Sequence, residues 1–185
     1  MFDNYDSFTY NLLHMVEQVT HHRVDVCKND ELYLEDIKKY DKIILSPGPG
    51  IPAEAGMLIP LIKEYAPSKS ILGVCLGHQA IGEVFGAKLV NLQTVFHGVA
   101  TTIRIINRKD PLYAGLDETV IVGRYHSWIV DREGLPESLQ IQAVDEQGCI
   151  MAIKHKQYDV QGVQFHPESI MTPCGETIIR NWLAE

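Results

Sequence analysis

Two short segments of this chain carry residue types that can do covalent chemistry. In Ile71-Leu72-Gly73-Val74-Cys75-Leu76-Gly77-His78-Gln79 an apolar, β-branched run leads into Gly-x-Cys-x-Gly, and a helix-type segment from Leu76 to Phe85 follows directly. That is the layout of a nucleophile elbow with sulfur in place of oxygen. A sharp strand-to-helix turn lifts the side chain above a sheet, and the flanking glycines leave room for it. A thiol at a helix N-terminus also meets the positive end of the dipole, which favours the thiolate. Isolated cysteines more often serve as small buried hydrophobes, so a base, an orienting carboxylate and an oxyanion hole must come from elsewhere in the chain.

The second segment is Gln164-Phe165-His166-Pro167-Glu168-Ser169, at the end of a strand pattern from Val160 to Phe165. In extended backbone, residues i and i+2 share a face, so His166 and Glu168 are expected to project together. Pro167 biases His166 toward that extended form. Glu168 would accept a hydrogen bond from one imidazole nitrogen while the other nitrogen faces the nucleophile. The carboxylate would hold the tautomer and stabilise the imidazolium formed during reaction.

A third element, Ser46-Pro47-Gly48-Pro49-Gly50, follows a buried strand pattern. Proline stiffens such a loop, and glycine permits conformations that turn N–H groups into a cleft. Pro49 has no N–H, so a donor from this loop is Gly48 or Gly50. The amide of Leu76, next after the nucleophile, is the second donor. Together they would form an oxyanion hole, each donor contributing roughly 3–4 kcal/mol to transition-state stability. The loop lacks the Gly-x-x-x-x-Gly-Lys-Ser/Thr pattern of a phosphate site.

The other histidines are weaker bases by position. His78 lies three residues beyond Cys75 on the same helix and points away, toward packing or capping. His14, His21 and His22 fall in or after the first helix and read as solvated, and His155 in Lys154-His155-Lys156 reads as a surface turn. His126 and His97 are the better rivals, but neither has a carboxylate two residues on. No pair shows metal-ligand spacing, so neither a metal nor a cofactor is expected.

These residues need a frame. Tyr5, Phe8, Leu12, Leu13, Val16 and Val19 recur at helical spacing, Val24 to Cys27 reads as a short strand, and Lys42 to Ser46 as another. A helix from Ala55 to Tyr65, the strand Ser70 to Cys75 and the elbow helix follow. Such alternation predicts a parallel sheet with helices on both faces. Strand patterns then dominate: Thr101 to Ile106, Thr119 to Arg124, Leu139 to Val144, Cys149 to Lys154 and Val160 to Phe165, before an amphipathic helix from Glu176 to Leu183. The expected fold is one α/β domain over residues 1–185, an open, mostly parallel sheet with an antiparallel extension. Ligands in such sheets bind beyond the carboxyl ends of the strands, where the Pro47–Gly50 loop and Cys75 both fall. Only Met1 and Phe2 remain for an opening strand, which leaves open a truncated or differently placed start.

Composition narrows the partners. A formal charge of −8, from 24 acidic and 16 basic residues, disfavours nucleic acid and anionic membranes. No apolar run reaches the roughly 18 residues of a membrane span, and the N-terminus lacks the regions of a signal peptide. Cys27, Cys75, Cys149 and Cys174 are scattered, without a C-x-x-C pair. The expectation is a soluble, cytoplasmic protein with free thiols.

Taken together, Asp3 to Asn11, Leu45 to Gly50, Gly73 to Gln79, Arg124 to Ser127 and Gln164 to Ser169 resemble the class I, triad-type glutamine amidotransferases. Within that class they resemble the glutaminase components of anthranilate and aminodeoxychorismate synthases. The resemblance runs along nearly the whole chain and implies a flavodoxin-like topology. It implies Cys75, His166 and Glu168 as the triad, and Gly48, Pro49, Gly50, Leu76, Gln79, Ser127 and Trp128 as glutamine-binding and oxyanion positions. Two positions depart from it: Trp128 stands where the family often has leucine, and Val99 where lysine is common.

The implied reaction is attack of the Cys75 thiolate on the γ-carboxamide of L-glutamine, release of ammonia, and hydrolysis of a γ-glutamyl thioester. The ammonia would feed a chorismate-utilising synthase subunit in a hetero-oligomer. A stand-alone cysteine γ-glutamyl hydrolase or amidase, an amidotransferase serving another acceptor, and a binding subunit with a decayed site are the alternatives.

Overall fold

In the computed structural model, which describes residues 1–184, strand and helix alternate through the first half. The chain runs through β1 (Phe2–Asp3), α1 (Thr9–Thr20), β2 (Cys27–Lys28), β3 (Lys42–Leu45), α2 (Leu58–Tyr65), β4 (Ser70–Val74) and α3 (Leu76–Val84). The second half is strand-rich: β5 (Leu89–Asn91), β6 (Val99–Ile105), β7 (Thr119–Arg124), β8 (Trp128–Val130), β9 (Leu139–Asp145), β10 (Ile150–His155) and β11 (Val160–Val163) precede α4 (Gly175–Ala184). Nine strands form one sheet in the order β2-β1-β3-β4-β11-β10-β9-β6-β7. The first five run parallel and the rest pair antiparallel. Among the described residues, no helix is long and apolar enough to cross a membrane.

The two-residue period of a strand explains why the sheet is covered on both faces. Ile43 and Leu45 of β3 and Ile71 of β4 join the core under α2 and α3. Ile44, Leu72 and Val74, one residue out of phase, join the core under α1 and α4 with Leu12, Ile178 and Trp182. Strands buried on both faces read as continuous apolar runs, as these do.

The opening strand exists and is only two residues long. Phe2 pairs with both Cys27 and Leu45, so β1 is an interior strand. Its brevity is tolerated because side chains continue the stitching: Asn4 Nδ2 donates to the Ser46 carbonyl at 2.8 Å, and the Asn4 N–H donates to Ser46 Oγ at 2.9 Å.

Several boundaries differ from the sequence expectation, each for a local reason. Tyr5 lies outside α1 at φ 62°, because Asp3 Oδ1 captures its N–H and Asp6 Oδ1 captures that of Phe8. These aspartate turns compete with helix and delay its start to Thr9. Only Cys27 of the expected Val24 to Cys27 strand pairs with β1. The helix expected from Ala55 begins at Leu58, since Gly56 adopts φ +51° against the Asn29 carbonyl. Leu34–Lys39 forms a 3-10 helix and β5 pairs with β8 in a small second sheet, neither of which periodicity signalled. His155 is a correction: it is 5% exposed, stacks on Tyr158, and accepts the Gln157 and Tyr158 N–H groups at Nδ1. The lysines beside it suggested a surface, but strand alternation turns its ring inward.

Candidate active site

β3, β4 and β11 are adjacent parallel strands, and each delivers one part of the site from its carboxyl end. Beyond β4, Cys75 adopts φ 51°, ψ −99°. Such a conformation costs a non-glycine residue about 1–3 kcal/mol and persists only where its surroundings enforce it. Here the enforcement is close backbone approach. A Cβ on Gly73 would lie 2.4 Å from the Gly77 carbonyl carbon, and one on Gly77 would lie 2.7 Å from Leu45 Cβ. Gly73→Ala is therefore expected to destabilise the fold by roughly 1–3 kcal/mol or more, read as a lower urea midpoint.

His166 follows β11 and ends up against the same elbow. Its Nδ1 and Glu168 Oε1 are 2.7 Å apart, and both side chains are buried. The pairing predicted from the sequence is present, but a turn produces it. The Ser169 N–H donates to the His166 carbonyl, placing Pro167 and Glu168 at the two central positions. Phe8 and Tyr125 pack edge-on against the imidazole. Thr172 ties the turn down, donating its hydroxyl to the His166 carbonyl at 2.6 Å and accepting the Gly123 N–H.

With Nδ1 held by Glu168, the buried Nε2 is the nitrogen left for Cys75. Burial alone would depress the imidazolium. Hydrogen bonding to Cys75 and Glu168, together with their negative charges, outweighs burial and pushes His166 up to about 10. The protonated ring is thus favoured beside the Cys75 sulfur.

The rival His126 is spoken for. Arg124 Nε donates to its Nε2 at 3.1 Å, and its Nδ1 lies 3.0 Å from the Trp128 carbonyl. Burial, then the Arg124 charge, pulls its pKa down to about 3. A neutral ring with both nitrogens engaged is not a general base. His97 is exposed on the surface. His78 is wholly buried, with its ring against Gly162, and burial lowers its pKa to about 4.

The glycine-proline loop after β3 lies beside the elbow. A Cβ on Gly48 would come within 2.5 Å of Leu76 Cδ2 and 2.6 Å of Asn4 Cβ, so only glycine fits between them. Gly50 turns at φ +72°. The N-terminal Asp3-Asn4-Tyr5-Asp6 run braces this loop through the Asn4–Ser46 bonds, a role that its side chains alone did not disclose.

A cleft of about 170 Å³ opens over the sulfur, lined by Gly48, Pro49, Gly50, Cys75, Gln79, Tyr125, His126, Ser127 and Trp128. Six of the seven expected binding positions therefore meet Cys75 in one cavity. Leu76 is buried at the helix start, where its backbone amide has no intrahelical acceptor. Gln79 is engaged structurally: its NH2 donates to the Trp128 carbonyl at 2.9 Å and to Gln164 Oε1 at 3.3 Å.

The family model for class-I glutamine amidotransferases matches residues 1–185. The chain belongs to that family. It is 44% identical over 184 residues to the anthranilate synthase component 2 of Porphyra purpurea, covering 98% of this chain and 96% of that protein. It is 43% identical over 185 residues to the aminodeoxychorismate synthase component 2 of Klebsiella aerogenes, covering 99% and 97%. A glutamine amidotransferase structure from Thermotoga maritima superposes with a TM-score of 0.79 at 14% identity, over 98% of this chain and 94% of that one, which speaks to the fold.

Three residues of this amidotransferase's site escaped the sequence reading. Phe8 and Tyr125 wall the imidazole, and Gln164 Nε2 lies 3.6 Å from the Cys75 sulfur. Gln164 sits two residues before His166 in a motif already singled out, but a strand pattern does not tell which face reaches a neighbouring strand's elbow.

Proposed function

We propose that this amidotransferase is the glutaminase subunit of a chorismate-utilising synthase. Cys75, His166 and Glu168 are the catalytic triad of one glutaminase unit spanning residues 1–185. The observation that carries the reading is the meeting of a strained cysteine elbow, a buried histidine–glutamate pair and a glycine-lined cleft at the ends of three adjacent strands. L-Glutamine enters with its γ-carboxamide over Cys75, held in the cleft by Gly48, Pro49, Gly50, Gln79, Ser127 and Trp128. The thiolate adds to the amide carbon, and the oxyanion is held by the Leu76 and Gly48 amides, with Gly50 the alternative donor. His166 gives its proton to the departing ammonia, leaving a γ-glutamyl thioester. The same imidazole then takes a proton from water, whose attack releases glutamate and returns the electron pair to sulfur. Glu168 keeps Nδ1 protonated throughout.

The relatives' names, components of anthranilate and aminodeoxychorismate synthases, support a synthase subunit as the partner; the proposed setting is a cytoplasmic hetero-oligomer in which that subunit acts on chorismate. The isolated chain and the complex, each given glutamine, separate this reading from that of a self-sufficient hydrolase by their rates of glutamate release. The nucleophile is tested by labelling: a diazo-ketone glutamine analogue is expected to add one equivalent, at Cys75. Labelling mainly at Cys27, Cys149 or Cys174 would sink the assignment.

A further inference from the structure

We propose that Gln164 is a further catalytic residue, whose side-chain amide stabilises the Cys75 thiolate by hydrogen bonding, and that a buried chain of hydrogen bonds starting at Arg124 holds that amide with its NH2 toward the sulfur. The inference rests on the reading of Cys75 as nucleophile.

The geometry is continuous from one end to the other. Arg124 is 2% exposed and paired with Asp145 at 2.8 Å, with its guanidinium over the Phe96 ring. Its Nε donates to His126 Nε2 at 3.1 Å. Arginine has no acceptor atom, so this contact makes His126 Nε2 the acceptor and puts the ring proton on Nδ1. Nδ1–H then donates to the Trp128 carbonyl, 3.0 Å away. The same carbonyl accepts from Gln79 Nε2 at 2.9 Å.

A carbonyl can only accept, so Gln79 must turn its NH2 toward Trp128. The second proton of that NH2 goes to Gln164 Oε1 at 3.3 Å. With its oxygen thus engaged, Gln164 has only its NH2 left for Cys75, and Nε2 stands 3.6 Å from the sulfur. Every member is buried or half-buried, and Gln164 itself is 0% exposed. In that setting a hydrogen bond to a charged group is stronger than one in water, and an amide turned the wrong way would present a carbonyl to an anion. The chemistry needs this donor twice: before attack, when the sulfur is charged, and at thioester hydrolysis, when the electron pair returns to sulfur.

Of the other ionisable groups around Cys75, His166 is committed to proton transfer, and the rest supply no donor to the sulfur. His166, oriented by Glu168, faces the sulfur from the turn after β11. His126 beside β8 and His78 on α3 are neutral rings. The Arg124 charge is balanced by Asp145.

The test is the rate at which iodoacetamide alkylates Cys75 in the intact chain, followed by peptide mass spectrometry from neutral to alkaline pH. Gln164→Glu keeps the shape and replaces the donor with an anionic acceptor; alkylation at neutral pH is expected to slow about tenfold, one pH unit's worth of thiolate. Alkaline pH restores the rate, which a collapsed pocket would not allow. Gln164→Met, which removes the donor without adding charge, is expected to shift the profile the same way by less. Arg124→Met combined with Asp145→Asn deletes the start of the chain without orphaning a charge and is expected to give a partial shift. Unchanged profiles in both Gln164 variants, or a deficit that alkaline pH does not restore, would overturn the proposal. An unchanged profile in the Arg124/Asp145 variant alone would overturn the orienting chain. Alkylation of the unaltered protein at another thiol would instead remove the nucleophile assignment beneath it.

Discussion

Cys75→Ser is expected to stop glutamine-dependent synthesis by the assembled complex while leaving synthesis from added ammonium salts largely intact. Serine at the elbow keeps the strained backbone and nearly the same volume. It loses the thiolate, because a hydroxyl is far harder to ionise beside an imidazole poised for sulfur. The glutaminase step should fall by about 10⁴-fold or more, the scale on which loss of a triad nucleophile acts. The acceptor reaction should survive because the proposed function places the acceptor site on the partner. Ammonia released into neutral water is protonated and lost as a nucleophile, so hydrolysis is useful only when coupled to that site. If Cys75→Ser also eliminates the ammonia-driven reaction, or the isolated chain turns over glutamine at its full rate, the coupling is wrong and the stand-alone hydrolase reading moves ahead.

His166→Ala should cost nearly as much, about 10⁴-fold in glutamine turnover, since in the proposed mechanism this residue is both the proton donor for ammonia and the base for water. Glu168→Gln is expected to leave measurable activity, because the turn and the rings of Phe8 and Tyr125 still position the imidazole. That substitution does, however, remove one of the two partners, Cys75 and Glu168, that raise His166 to about 10 against its burial. A triad acts as a unit, so the double variant should cost far less than the product of the single losses. Steady-state glutamate release from the complex is the measurement. Multiplicative losses would place Glu168 outside the unit, and full activity in His166→Ala would return the role of base to His126, whose two engaged nitrogens argue against it.

Sequence and structure agree where a local rule has one outcome. Gly-x-Cys-x-Gly between an apolar run and a helical pattern specifies an elbow because only glycine tolerates the approach of Gly73 to Gly77 and of Gly77 to Leu45. Thr119–Arg124 has the expected strand boundaries, and Ser70–Val74 ends one residue short of the elbow cysteine. Disagreement falls where side chains compete with backbone or where a partner is distant in sequence. Asp3 and Asp6 divert the first residues of the expected α1 into turns. β5 and β8 are too short to announce themselves without each other.

The sequence by itself determined the local pieces of the candidate site: a cysteine on an elbow, a histidine–glutamate pair two residues apart and a glycine loop after a strand, each encoded in a short local segment. Their assembly depended on strand order, which no local pattern carries. Gln164 and Cys75 are 89 positions apart in the chain, yet β11 lies directly beside β4, and that pairing brings His166 to Cys75. The same pairing decided that Gln164 reaches the sulfur, and the pairing of β10 with β9 fixed the register in which His155 turns inward. Hydrogen-bond partners in a buried site are chosen by which strands are neighbours, and only the folded sheet makes that choice.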